Sequence, residues 1–304
     1  MKILVTGGAG FIGSNLALEL EKQGHKVTVV DNLLTGNKSN LKGFKGKFIN
    51  ADVSKSFDHN ENFDVVFHEA AITDPRYPND EKTYNSNIQG FKNTIKIAEK
   101  NNAKLIYAST ASLYGNGPVP MKEDQEKDLL SAYGKSKLDM DKIAEKLFQR
   151  MHIVGLRYFN VFGPREKYKK RAASMIYHIG KQMKENKYPR LFKFGEQKRD
   201  HIYVKDVIDA TIKAMDAKQS CIVNVGTGIA TSFNDSIKTL NRVLGKNLKT
   251  EYFDMPYDPK TYQSDTQADT KKAEKLIGFR AKWPLKKGIK DYFNWLDKNG
   301  WDNG

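Results

Sequence analysis

The 304 residues contain one cysteine, Cys221, so no disulfide can close among them and no cluster of thiolate metal ligands can form. No uninterrupted apolar run approaches the ~18 residues of a membrane span. The apolar start at 3–5 is broken at once by Gly7, Gly8 and Gly10, without the long apolar core and cleavage site of a secretory signal. These absences point to a cytoplasmic protein in a reducing compartment. The six histidines show no His-Glu-x-x-His or related ligand spacing, so no metal site is expected. No Gly-x-Ser-x-Gly elbow is present, and no Gly-Lys-Ser/Thr follows the early glycines, which disfavours serine hydrolysis and ATP hydrolysis.

Hydrophobic residues at 39%, 23 glycines and 29% charged residues describe an ordinary globular chain. At roughly 150 residues per domain, two lobes are expected. The net charge is +15, from 51 basic and 36 acidic residues, and residues 165–205 alone hold 13 basic against four acidic side chains. That excess of +9 reads either as a solvated face or as a site for a polyanionic small molecule.

Strand and helix signals alternate from the first residue, which predicts a parallel sheet with crossover helices. Short apolar runs at 3–5, 27–30, 47–50, 65–68, 104–108, 153–156 and 222–225 read as strands. Helices are expected at 13–24, 87–101, 132–150, 172–185, 207–217 and 233–244, the last behind a Ser232 cap. Past Pro164 the pattern loosens into a basic loop with short strands near Leu191 and Ile202. The expected organisation is a first domain over 1–163 that regains elements near 200–230, and a smaller, interleaved second domain over 164–304.

The segment Thr6-Gly7-Gly8-Ala9-Gly10-Phe11-Ile12-Gly13 directly follows the first strand and opens the first helix. Gly7 permits a tight turn, Gly10 lets backbone amides approach a pyrophosphate, and Gly13 lets the helix pack near the sheet, a Rossmann-type dinucleotide loop. Asp31 ends the second strand about twenty residues on, where a carboxylate accepts the hydroxyls of an adenosine ribose and favours NAD. Lys38 is the cation that would suit the 2′-phosphate of NADP, so both cofactors stay open. Asp52 is placed to accept from the adenine amino group, and Val53 to pack on the ring.

Tyr133 and Lys137 form Tyr-x-x-x-Lys, a spacing that chance alone would supply roughly twice in this composition. Position gives it weight, because i and i+4 share one helix face and this helix follows the strand ending in Ser109-Thr110. A neighbouring ammonium is expected to favour the Tyr133 phenolate, with Thr110 bonding the same substrate oxygen, while a nicotinamide takes the hydride.

With these residues in hand, the chain resembles the extended short-chain dehydrogenase/reductase family, the nucleotide-sugar epimerases and dehydratases. The resemblance rests on 6–13, 68–71, 107–115, 133–137 and Arg-Tyr-Phe-Asn-Val-Phe-Gly-Pro at 157–164. Dehydratases of that family carry an acidic pair after the Ser/Thr position, whereas Ala111-Ser112 stand here. Segments 163–175, 191–200 and 262–269 resemble more narrowly the branch that inverts C6 of an ADP-linked heptose. That resemblance implies a tightly bound NADP or NAD, an ADP-sugar substrate and a homo-oligomer, with no nucleic-acid or membrane partner. It implies Tyr133 and Lys169 as two bases on opposite faces of a keto intermediate. It extends the cofactor set to Phe11, Ile12, Asn32, Ala70, Ala71, Asn87, Val161 and Lys169. Asn160, Arg171, His178, Phe192, Lys193, Phe194, Gly195, Arg199 and Tyr262 are then expected around the substrate with Thr110, Arg199 being suited to forked diphosphate recognition. Thr110 departs from the usual serine, Arg171 from a small residue, and Lys167 and Lys170 flank Lys169 as rival bases. Two other readings remain: a UDP-sugar 4-epimerase, which would not depend on Lys169, and a non-catalytic fold member that binds nucleic acid or senses redox state.

Overall fold

The computed structural model describes every residue except 56, 58–60, 75–76, 257, 259–261 and 302–304. The first half alternates strand and helix: β1 (Lys2–Thr6), α1 (Phe11–Lys22), β2 (Lys26–Asp31), β3 (Lys47–Asn50), β4 (Val65–His68), α2 (Asp80–Asn101), β5 (Lys104–Thr110), α3 (Ala132–Glu145) and β6 (Ile153–Tyr158). After them come β7 (Asn160–Phe162), α4 (Met175–Lys184), β8 (Arg190–Phe192), β9 (Lys198–Arg199), β10 (His201–Tyr203), α5 (Val204–Lys213), β11 (Cys221–Val225), β12 (Thr231–Ser232), α6 (Phe233–Leu244), β13 (Glu251–Phe253), α7 (Lys271–Ile277) and α8 (Leu285–Asn299).

The main sheet has the order β11-β6-β5-β4-β1-β2-β3, every pair parallel. Strand order reverses between β1 and β4, and the carboxyl ends of these two strands open the crevice where such sheets bind ligands. Alternation along β1 feeds two cores: Ile3 and Val5 pack with α1 and α5, whereas Leu4 packs with Phe91 of α2 and Met140 of α3. Burial on both faces explains why these strands read as continuous apolar runs. Cys221 is buried in β11, and burial pushes its thiol up to about 11. Among the described residues no helix is long and apolar enough to cross a membrane.

The seven strands of the main sheet fall where the sequence places them, whereas the sequence reading does not predict β7, β9, β12 and β13, and several helix ends differ. α1 starts at Phe11 rather than 13, and the chain leaves the helix through Gly24 at φ 85°. α2 begins seven residues early, at Asp80, because the Asn79 side chain accepts from Lys82 N and Asp80 and Glu81 occupy the first turn. That polar first turn carries no apolar periodicity. α3 stops at Glu145, followed by tight turns in which Leu147 N donates to Ala144 O and Arg150 N to Leu147 O. Residues Glu166–Ala172 form a 3-10 segment kinked at Lys170, and α4 starts behind the Ser174 cap. α5 begins at Val204 and ends in a 3-10 turn at Ala214–Asp216. α7 and α8 have no counterpart in the sequence reading.

Candidate active site

A cleft of about 690 Å3 lies along the carboxyl ends of β1, β2, β4 and β5, closed on the far side by residues from 158–175, 199–201, 233 and 262. Gly7, Gly10, Phe11, Ile12 and Gly13 form one wall. A Cβ on Gly7 would come within 2.6 Å of the Ala70 backbone, and one on Gly13 within 2.3 Å of Gly7 O, so the loop is folded tightly on itself and on the end of β4. The chain enters α1 through Gly10, with no capping side chain and no acidic residue in the first turn. Such an N-terminus suits a pyrophosphate. Asp31 lines the same cleft, its two carboxylate oxygens taking the amides of Ala9 (3.0 Å) and Leu33 (2.7 Å), while burial raises its pKa. Asn32, Asp52, Val53, Ala70, Ala71, Asn87 and Val161 line it too. Asn87 bridges walls, accepting from Ile72 N and donating to Ser136 Oγ. Lys38 does not line the cleft; its ammonium lies 5.1 Å from the centre of the Phe48 ring.

Thr110, Tyr133 and Lys137 meet at the cleft floor. Ser131 caps α3 by accepting from Gly134 N, which presents Tyr133 and Lys137 one turn apart beside the end of β5. Lys137 Nζ donates to Ala108 O at 2.7 Å and sits 6.0 Å from the centre of the Tyr133 ring. The expected phenolate is not what this geometry favours. Burial pushes the Tyr133 phenol up to about 12, against a lowering hydrogen bond from Thr110, and burial brings Lys137 down to about 8. Desolvation is the largest effect on the phenol, and the Glu69 carboxylate adds to it.

The basic segment divides sharply. Lys169 lines the cleft, its Nζ 5.8 Å from the centre of the Phe11 ring, and burial lowers its pKa. Lys167 points the other way and donates to Asn299 O (2.8 Å) and Gly300 O (2.9 Å), while Lys170 is exposed. The carboxylate of Glu166 anchors this turn by accepting from Gly163 N, Ser174 N and Ser174 Oγ. Arg171 does not line the cleft, although it is paired at 2.7 Å with Asp74, which does.

Arg199, 8% exposed, reaches the cleft between the rings of Phe233 and Tyr262. Asn160 lies alongside, its Oδ1 accepting from Thr266 Oγ1 at 2.7 Å. Asp200 holds this wall together: its carboxylate takes the amides of Thr227, Gly228 and Ala268 and the Thr227 hydroxyl. His178, Phe192, Lys193, Phe194 and Gly195 do not line the cleft. Phe192 stacks edge-on against Tyr262, and Lys193 pairs with Asp254. Sequence reasoning missed Asp200, Thr266 and Glu69 as residues of the site. Glu69 lies within a quoted motif, but its polar partner is 89 positions away. Among the described residues no group of three His, Cys, Asp or Glu side chains is disposed to hold a metal.

Comparisons with known proteins bear on the family and the fold. The model of the NAD dependent epimerase/dehydratase family matches residues 3–226. The chain is 35% identical to an ADP-L-glycero-D-manno-heptose-6-epimerase of Brachyspira hyodysenteriae, over 98% of each chain. It is 37% identical to a putative UDP-glucose 4-epimerase of Methanocaldococcus jannaschii, over 98% of this chain and 99% of that one. The crystal structure of Helicobacter pylori ADP-L-glycero-D-manno-heptose-6-epimerase superposes with a TM-score of 0.91 at 38% identity, covering 97% of this chain and 96% of that one.

Proposed function

Because the chain belongs to the NAD dependent epimerase/dehydratase family, we propose that it inverts C6 of ADP-D-glycero-D-manno-heptose to the L-glycero epimer through a transient ketone. One observation carries the choice: Lys169 and Tyr133, from distant segments, line one cleft, with Lys167 and Lys170 turned away from it. Inversion at a carbon bearing only a hydroxyl needs oxidation, presentation of the other ketone face and return of the hydride, so a proton-handling group is wanted on each side. Burial pushes the Tyr133 phenol up to about 12, so it rests protonated, and burial lowers the pKa of Lys169 against the raising effects of Glu166 and Asp74. Lys169 takes the C6 hydroxyl proton as the hydride departs, and Tyr133 supplies one as the hydride returns to the opposite face; the reverse epimerisation exchanges these roles. When bound, the nicotinamide accepts the hydride and gives it back. Thr110 orients the reacting oxygen beside Tyr133, and Arg199 and Asn160 hold the diphosphate.

The glycine loop, the uncapped start of α1 and the rim carboxylate Asp31 fit a nicotinamide dinucleotide. A cofactor-binding part to residue 163, rejoined by β11, a substrate part from 164, a cytoplasmic location and self-association belong to the same reading. Proton NMR of ADP-D-glycero-D-manno-heptose with the purified protein is the test, beside UDP-glucose and a Lys169→Ala variant. Conversion to the L-glycero epimer that disappears in the variant supports the assignment. Turnover of UDP-glucose alone, undiminished in the variant, establishes the 4-epimerase reading instead.

A further inference from the structure

Glu69 stands at the end of β4, on the cleft floor, and the reaction described above makes no use of it. Tyr158 Oη lies 3.0 Å from its Oε1, Tyr158 Oη is 2.8 Å from Thr211 Oγ1, and Thr211 Oγ1 is 2.7 Å from Val207 O. These are three hydrogen-bond links, and the hydroxyls of Tyr158 and Thr211 supply two hydrogens. Only a proton on Glu69 completes the chain: Glu69 then donates to Tyr158, Tyr158 to Thr211 and Thr211 to Val207 O. When the carboxyl is ionised, Tyr158 must turn its hydrogen toward Glu69, and Thr211 must either turn toward Tyr158 or leave that link without a hydrogen.

The groups facing this carboxyl come from each neighbouring element. α3 brings Lys137 and Tyr133, and β6 brings Tyr158. The preceding residue His68, which burial keeps neutral, is engaged elsewhere, its Nδ1 meeting the hydroxyls of Thr6 and Thr94. Burial pushes Glu69 up to about 7, against the lowering effects of Tyr158 and Lys137. Its negative charge in turn raises Lys137, together with Asp141, against the larger lowering by burial, and opposes ionisation of Tyr133.

We propose that Glu69 is a positioning residue that stores a proton on the Tyr158–Thr211 chain and, by releasing it, sets the charge carried by Lys137 beside Tyr133. The proposal rests on the epimerase reading for its catalytic meaning, but its first test does not require turnover. Infrared difference spectra of the full chain across pH 5–9 should show a protonated-carboxyl band that titrates near neutral pH and is missing in Glu69→Gln. In the same variant the 13Cε resonance of Lys137, assigned by its loss in Lys137→Met, should titrate about one unit lower than in the parent. Glu69→Asp should restore the parent value. Tyr158→Phe tests the chain from its other end and should move the midpoint of the band. An unchanged Lys137 titration in Glu69→Gln, or an unmoved midpoint in Tyr158→Phe, overturns the proposal. Where turnover is measured, the alkaline limb should shift to lower pH in Glu69→Gln, and the two proteins should coincide below about pH 6, where the parent carboxyl is itself neutral. Absence of turnover with both ligands in the parent would sink the epimerase reading and leave the spectroscopic result to decide this one.

Discussion

Arg157 and Arg199 are both buried, at 4% and 8% exposure, yet their charges are treated in opposite ways. Arg157, behind α3, donates from Nε to Asp141 at 2.9 Å and from Nη1 to Tyr114 Oη and Glu123 O, and Asp141 also accepts from Tyr107 Oη. Its charge is cancelled inside the fold. Arg199 donates to the carbonyls of Lys198, Ser264 and Gln263 between two aromatic faces, and among the described residues it has no ion pair; Asp265 acts on it only from farther away. Carbonyls and rings fix the guanidinium without neutralising it. The first arginine locks α3 to the sheet, whereas the second stands at the cleft with its charge uncancelled, as the proposed diphosphate contact requires.

The contrast is broken most severely at Asp141. Asp141→Ala leaves Arg157 buried and unpaired and should cost ~3–5 kcal/mol in urea unfolding, much of it recovered in the double variant Asp141→Leu, Arg157→Met. Arg199→Met should leave unfolding within ~1 kcal/mol of the parent yet weaken nucleoside diphosphate binding by ~2 kcal/mol, or roughly thirtyfold by calorimetry. Equal losses of stability in both variants would erase the distinction.

His201, two residues beyond Arg199, sharpens it. Burial and the uncancelled charge of Arg199 bring the imidazole down to about 3. The folded value lies below the ordinary 6.5, so the unfolded chain binds the extra proton and stability falls as pH drops below ~6.5, by up to ~1.4 kcal/mol per unit. Unfolding at pH 7 and pH 5 should show this slope, reduced in His201→Phe. The smallest effect belongs to Lys38, which lies over Phe48 rather than in the cleft. Lys38→Ala should leave stability and NAD affinity unchanged within ~0.5 kcal/mol and weaken NADP by less than ~1 kcal/mol.

The same contrast explains what was legible in the sequence. The glycine loop, the buried strands and the Tyr133–Lys137 spacing are written in neighbouring residues, because turn chemistry and helical period are local. The walls around Arg199 and Lys169 are not. Arg199 is visible as a basic residue, but its carbonyl partners lie 64 and 65 positions later. Nothing in the run at 167–170 separates three similar lysines until α8 claims Lys167. The start of α2 escapes notice for a different reason, since capping and acidic residues initiate it before any apolar period begins.

The grip of Lys167 on Asn299 and Gly300 also has a meaning in time. The turn that carries Lys169 is fastened to residues made 132 and 133 positions later. At ~5–20 residues per second, ribosomal synthesis separates the two by on the order of ten seconds. Residues 1–163 can therefore emerge and assemble β1 to β6 while the turn is still unfastened. Synthesis order alone lets β1 to β6 form before β11 joins them, and before the lysine-bearing wall of the cleft can be fastened.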